Sequence, residues 1–454
     1  MSTSVNAGGR LDRLPISSFH RRIMMLIGIG MFFDGFDIYI AATVLGATLH
    51  SGFSTLPQNA MFVSATFIGM MIGSFMTGFL GDRYGRRFTY QFNLLLFGGC
   101  SLLAAFAPNM TVLILLRLFI GIGLGAENVV GYSTLTEFVP ARVRGKWLGF
   151  MAVFVVSGLP IAALVGTYVI PAFSWRAMFI LGGIGAIIVW YLRKSLPESP
   201  RWLESVGRTQ EAEALMQRIE AEASNGAPLP APAPAMTIAP SRSLASLWTP
   251  PLLTRMVVGC VSLIVINTLL YGFVTWLPTF FVKQGLTIAT SFQYSMLMSI
   301  GAPIGSAIGA LTSDRWGRKA TICGSGMMAI LFGCIYPFVH DPVLLPIVGF
   351  ALTVPIYVLV ALLFAIYIPE LFPTEVRLRA SGICNTFGRG ATIGTPFLVV
   401  WLFSNYGITG VLSLMVGLLF SLVIVVLLFG VESGRRSLEG IEEDALTNVS
   451  LRKA

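Results

Sequence analysis

The sequence predicts an all-α membrane protein with twelve transmembrane helices in two six-helix halves. Of its 454 residues 55% are hydrophobic and only 11% charged, well under the roughly 25% charged residues of a soluble domain. Apolar stretches long enough to cross hydrocarbon about 30 Å thick recur twelve times, six on each side of one long polar interruption. Two short motifs also recur at nearly one spacing, as a duplicated six-span unit requires.

Residues 1–22 are polar and basic with no signal-peptide cleavage pattern, so they are expected to form a cytoplasmic tail ahead of a retained first span. Spans are predicted at about 23–49, 59–80, 88–107, 111–135, 146–169 and 175–195, which together form the N-terminal half, 23–195. The second set falls at about 255–281, 291–312, 320–339, 343–368, 380–403 and 408–430, giving a C-terminal half of 255–430. Between them, 196–254 is a linker: Trp202 to Ala223 is amphipathic and reads as a helix lying on the cytoplasmic face, and Asn225 to Pro240 is a flexible Pro/Ala tract. Residues 431–454 form a charged cytoplasmic tail.

With the N-terminus inside, all but four of the 30 Lys and Arg residues fall on the cytoplasmic side. The exceptions are Arg176 and Lys283 near the outer face, and Arg117 and Arg389 within spans. That asymmetry places both termini inside, and it absorbs the net charge of +9 without any nucleic-acid partner. The five cysteines fall in apolar segments without CxxC pairs, so neither disulfide nor metal site is expected. The three histidines sit at span ends and no nucleophile has a base partner, so the chain is not expected to be an enzyme and no cofactor is expected.

The residues that demand explanation are the charges inside spans. Asp34 and Asp37 lie in the first span, Asp37 about 21 Å along it and so near the bilayer centre. A carboxylate there costs several kcal/mol unless it faces the interior and finds a partner, which makes it either a proton or substrate path or a staple between helices. Arg117 enters the fourth span about 9 Å from the outer surface and is the expected partner of Asp37. Gly121 and Gly125 give the fourth span a small-residue face for close helix approach. Glu127, on the same span, is either a second titrating group or a packing contact. Arg389 lies about 14 Å into the eleventh span.

The two repeats are Asp82-Arg83-Tyr84-Gly85-Arg86-Arg87, matched 232 residues later by Asp314-Arg315-Trp316-Gly317-Arg318-Lys319, and Glu137 with Arg144, matched 233 later by Glu370 with Arg377. Beginning at Gly78, the first copy resembles the loop motif between spans 2 and 3 of the major facilitator superfamily. The resemblance covers essentially the whole chain. Its acids and arginines are suited to cytoplasmic ion pairs that latch one half against the other. Arg117 to Glu127 resembles the superfamily's span-4 motif of proton-coupled members. Pro197-Glu198-Ser199-Pro200-Arg201-Trp202-Leu203 and the segment from Glu432 to Glu439 resemble sugar-porter signatures. The resemblance implies that Asp37 exchanges a coupling proton beside Arg117; Asp34, nearly one turn earlier on the same span, is placed to assist or replace it.

The chain departs from the sugar porters where they hold hydroxyls: span 7 lacks their paired glutamines and span 5 has none. Span 11 instead resembles that of organic anion transporters, in which an Arg seven residues before a Pro engages the anion, as Arg389 precedes Pro396. A guanidinium holds a carboxylate bidentately. Asn385 and the aromatics Phe36, Tyr39, Tyr271, Trp276, Tyr357 and Phe387 complete the expected pocket, although such rings more often pack helix on helix. The expectation is a monomeric proton symporter in a bacterial inner membrane, importing a small aromatic or related monocarboxylate. A sugar symporter or uniporter and a non-transporting membrane sensor are the rivals.

Overall fold

The computed structural model describes residues 5–224, 228–232, 247–283, 285–339, 341–372 and 377–432, and every regular element among them is helical. The first part of the chain forms α1 (Ala7–Asp12), α2 (Ser18–His50), α3 (Leu56–Tyr84), α4 (Arg86–Ala104), α5 (Met110–Phe138), α6 (Ala141–Phe173), α7 (Arg176–Leu192), α8 (Pro200–Ser205) and α9 (Thr209–Ser224). The remainder forms α10 (Pro250–Gly272), α11 (Leu277–Lys283), α12 (Ile288–Ser299), α13 (Gly301–Trp316), α14 (Arg318–Ile335), α15 (Leu344–Val360), α16 (Ile368–Glu370) and α17 (Arg377–Phe429). Among the described residues nine helical stretches are long and apolar enough to cross a bilayer, the last of them Ala380–Phe429. Counting that stretch as two passes across the non-helical Gly407, and adding α4 and the α12–α13 pair, gives the twelve expected passes.

Local chemistry sets the ends. Asn109 Oδ1 accepts from the Val112 N–H at 3.0 Å and starts α5, and Thr287 caps α12 in the same way. Ser199 caps α8, with Pro200 supplying a first helical residue that needs no donor. The linker helix expected as one piece from Trp202 to Ala223 is two, because the chain turns at Gly207 with φ +81° between α8 and α9. Part of the Pro/Ala tract, residues 225–227 and 233–240, lies outside the described residues, as does most of the C-terminal tail.

The chain divides into two compact units. Unit 1 is Met1–Ile38, Ile68–Gly158 and Arg176–Thr237; unit 2 is Tyr39–Phe67, Leu159–Trp175 and Ile238–Ala454. Unit 1 is built on an unusually close contact between α3 and α5. A Cβ on Gly125 would lie 2.1 Å from the Met70 carbonyl oxygen, and one on Gly73 would lie 1.9 Å from that of Ile122. The small-residue face read from the sequence is therefore used by α3, and Ser74 Oγ lies 3.1 Å from the Gly125 carbonyl in the gap.

At one end of unit 1 the linker helices and the N-terminal segment form an apolar cluster with the spans. The α9 residues Ala212, Met216, Ile219 and Ala223, one face at helical spacing, pack with Leu11, Leu14, Phe19 and Trp202. The tail is thus docked: Arg10 binds Glu213 (2.5 Å) and Glu220 (2.6 Å), Arg13 binds Glu220 (2.6 Å), and Glu204 accepts from the N–H groups of Asn6 and Ala7 at 2.8 and 2.9 Å. The bond from Arg10 holds the Glu213 carboxyl below its usual 4.5. Burial works against ionising Glu220, but Arg10 and Arg13 outweigh it and the net displacement is again downward from 4.5.

Unit 2 brings α10 against α17, where a Cβ on Gly388 would meet Leu263 Cβ at 2.9 Å. The Tyr39–Phe67 segment belongs to this unit through Ser64 Oγ, which donates to the Ile393 carbonyl at 2.7 Å, and Phe67, whose ring centroid lies 4.4 Å from that of Tyr271.

Two outcomes follow from unit 1. Gly125→Val forces side-chain atoms into the Met70 backbone and is expected to cost about 3 kcal/mol or more, beyond ordinary overpacking, seen as a lowered thermal midpoint and loss of monodisperse protein. For the docked tail, both depressed carboxyls contribute stability that is complete above 4.5 and disappears as pH falls through their lowered values. Amide exchange in α1 is expected to stay slow from neutral pH down to about that value and to become fast below it; protection indifferent to acid would contradict the assignment.

Candidate functional site

The buried charges of unit 1 converge. Asp37 on α2 and Arg117 on α5 are both essentially inaccessible, and the guanidinium holds the aspartate at two points: Nη1 donates to Oδ2 and Nη2 to the Asp37 backbone carbonyl at 3.0 Å. Ser101 Oγ on α4 lies 3.5 Å from Oδ1 and 3.1 Å from the Phe179 carbonyl of α7. Four helices therefore fix one carboxylate, in the pairing the sequence suggested.

A second pair was not foreseen. Glu127 is bound by Arg193, at the end of α7, which the sequence presents as one more cationic residue at a span boundary. Its guanidinium also donates to the carbonyls of Leu26 (3.0 Å) and Ile27 (2.9 Å) and lies 5.7 Å from the centroid of the Tyr90 ring. This reach is possible because Gly30 has no side chain, since a Cβ there would sit 1.9 Å from Arg193 Nη2. The glycine in Gly28-Ile29-Gly30 was the available signal, legible only once its neighbour is known.

Asp34, fully buried on α2, completes the cluster. Neither of its carboxyl oxygens, nor Oε2 of Glu127, has a hydrogen-bond partner among the described residues. The charges that bear on Asp34 are those of Glu127, Arg193 and Asp37. Three acids thus share this interior with two guanidinium groups. Ionising all three acids would leave one uncompensated buried negative charge, an expensive state in a medium without water.

The loop motifs form two copies of one construction, each within its own unit. In unit 1 Arg86 binds Glu137 (2.8 Å) and the Gly81 carbonyl (2.7 Å), and Glu198 accepts from the N–H groups of Arg86 (2.9 Å) and Arg87 (3.2 Å) at the start of α4. In unit 2 Arg318 binds Glu370 (3.1 Å), and Glu432 accepts from the N–H groups of Arg318 (2.8 Å) and Lys319 (3.0 Å) at the start of α14. Gly85 and Gly317 enter these helices at φ +90° and +87°, and a carboxylate at a helix N-terminus is stabilised by the exposed amides and the dipole. Arg83 and Arg315 are exposed. The side chains of Asp82, Arg144, Asp314 and Arg377, and Gly78, lie outside those described.

The expected binding residues are distributed as follows. Phe36 is in unit 1, buried and stacked on Phe32 with centroids 6.4 Å apart. The others are in unit 2. Arg389 is half-buried on α17, within electrostatic reach of Tyr271. The hydroxyls of Tyr39 and Tyr357 are 3.4 Å apart. Asn385 donates to its own helix, to Ser381 at 2.9 Å, and Phe387 is 54% exposed. Trp276 lies in the short 3-10 turn Val274–Trp276 that interrupts the seventh pass between α10 and α11. Its indole N–H and the hydroxyls of Thr275 and Thr279 are buried, and none has a hydrogen-bond partner among the described residues. Helix interruptions at membrane depth with polar groups turned inward are where transporters hold ligands.

Residues 23–445 match the family described as "Sugar (and other) transporter". The inner membrane metabolite transport protein YdjE of Escherichia coli K12 is 38% identical over 96% of this chain and 98% of its own length. The niacin transporter NiaP of Acinetobacter baylyi is 32% identical over 95% of this chain and 98% of its own. Among solved structures, the xylose transporter XylE of E. coli in a partially occluded inward-open conformation superposes with a TM-score of 0.72 at 17% identity, covering 93% of this chain and all of that one.

The Glu127–Arg193 pair gives a direct test of the buried cluster. Arg193→Met is expected to cost about 3–5 kcal/mol by stranding a buried carboxylate, whereas Arg193→Met with Glu127→Met recovers most of that loss. Thermal midpoints of the single and double variants measure the difference.

Proposed function

This chain belongs to the major facilitator superfamily of membrane transporters, and from that membership we propose that it is a proton-coupled symporter of a small organic monoanion of the nicotinate or benzoate type. It is a multi-pass membrane protein that moves small solutes, not an enzyme. The observation that carries the coupling reading is the buried Asp37–Arg117 pair, set beside two further acids whose oxygens are not all bonded.

In the proposed cycle residues 23–195 and 255–430 alternate between outward-facing and inward-facing states, joined by the 196–254 linker, with both termini in the cytoplasm of a bacterial cell and a single chain as the working unit. Burial and the neighbouring guanidinium pull on the protonation of Asp37 in opposite directions, so its occupancy follows the pH difference across the membrane. A proton on Asp37 weakens its hold on Arg117. Arg389 takes the carboxylate of the substrate, and the orphaned donors around Trp276 supply further hydrogen bonds while its ring stacks on the ligand. Proton and monoanion then cross together without net charge.

Two things support the acid over other ligands. Arg389 supplies a cation at membrane depth, and NiaP, similar over nearly its whole length, is named for niacin, a ring monocarboxylate. The family's description also includes sugars, so sugar symport is the second reading.

Proteoliposome uptake separates them. An inward proton gradient is expected to drive accumulation of radiolabelled nicotinate or benzoate but not of xylose. Asp37→Asn is expected to abolish accumulation while sparing exchange, and Arg389→Ala to raise KM at least tenfold, the size of one lost charge-assisted contact of about 1.5–3 kcal/mol. Full accumulation by Asp37→Asn removes the coupling role; unaltered affinity in Arg389→Ala removes the anion site.

A further inference from the structure

Cysteine spacing gave no hint of a pair, yet Cys260 on α10 and Cys384 on α17, 124 residues apart, place their Sγ atoms 3.8 Å from each other. The helices approach closely at this point because Gly259 offers no side chain: a Cβ there would lie 2.8 Å from Cys384 Sγ. Cys384 is buried and Cys260 partly exposed, so of the two cysteines only Cys260 belongs to a residue with surface outside the packed interior. A disulfide needs sulfurs at about 2.05 Å, which the two side chains reach by rotating and closing less than about 2 Å.

We propose that Cys260 and Cys384 form a dithiol site that a small disulfide oxidant, such as glutathione disulfide, converts to an intramolecular disulfide stapling α10 to α17. The Cys260 thiolate attacks one sulfur of the oxidant, forming a mixed disulfide and releasing one thiolate, which takes up a proton. The Cys384 sulfur, having given up its own proton, then attacks the Cys260 sulfur of that mixed disulfide. The protein S–S bond forms as the second thiol leaves. Two protein thiols have lost two electrons and two protons, and the oxidant has gained both.

The same two helices carry Asn267, about 10 Å farther along α10, and Arg389, about 8 Å farther along α17. The oxidised chain therefore holds these two positions at a fixed separation. The thiol chemistry itself does not depend on the proposed function, and its test needs no transport measurement.

The test uses the full chain purified in lipid nanodiscs, incubated with glutathione disulfide, alkylated with N-ethylmaleimide, digested and mapped by mass spectrometry. The expected product joins the Cys260 peptide to the Cys384 peptide, both escaping alkylation, and dithiothreitol reverses it. Cys384→Ser is expected to stop at a stable glutathione adduct on Cys260. Cys260→Ser is expected to leave Cys384 without an adduct, because no exposed partner relays the oxidant. Complete alkylation of both cysteines in the oxidised wild-type chain, or a glutathione adduct on Cys260 that persists with Cys384 present, overturns the proposal.

Discussion

The constraint on which the rest of this molecule depends is that an ionised side chain in hydrocarbon must be paired and hydrogen-bonded or be neutral. Asp37 and Arg117 meet it through two bonds from one guanidinium, and meeting it draws α2, α4, α5 and α7 to one point. Gly125 and Gly73 let α3 and α5 touch backbone to backbone, and Gly30 lets Arg193 cross to Glu127. Of these glycines, Gly30 is the one that makes room for a charge, and Gly73 and Gly125 make room for backbone.

The second organising feature is duplication. Arg86, Glu137 and Glu198 in one unit correspond to Arg318, Glu370 and Glu432 in the other, at offsets of 232, 233 and 234 residues. In each copy an arginine ties a loop to a distant glutamate while another glutamate caps the helix that the loop begins. The near-constant offset means that both six-span segments inherited the same way of closing their helix ends. These pairs lie within units, so the interaction each copy makes inside its own unit is structural in the first instance.

The sequence made the twelve passes, the repeats and the Asp37–Arg117 pair legible, because hydropathy runs, motif spacing and the cost of buried charge are local or one-dimensional properties. What it concealed depends on contacts between distant segments. Arg193 looks like an ordinary cation at a span end until Gly30 and Glu127 are seen beside it. Cys260 and Cys384 look like two small apolar residues until α10 and α17 are packed. The docking of the N-terminal segment against α9 rests on Arg10 and Arg13 meeting Glu213 and Glu220, acids about 200 residues away, while the segment read alone is only polar and basic. Interruption of the seventh pass at Val274–Trp276 was likewise hidden within a continuous apolar run.

The proposed coupling assigns the buried acids a shared task with the cation at Arg389, which is to let a proton and a carboxylate cross together. The most direct measurement loads proteoliposomes with a pH-sensitive dye and a membrane-potential dye, then adds nicotinate outside at equal pH. The account predicts internal acidification that follows uptake one proton per anion, with no change in potential. Nicotinate entry that leaves internal pH untouched, or that generates a potential, would contradict it.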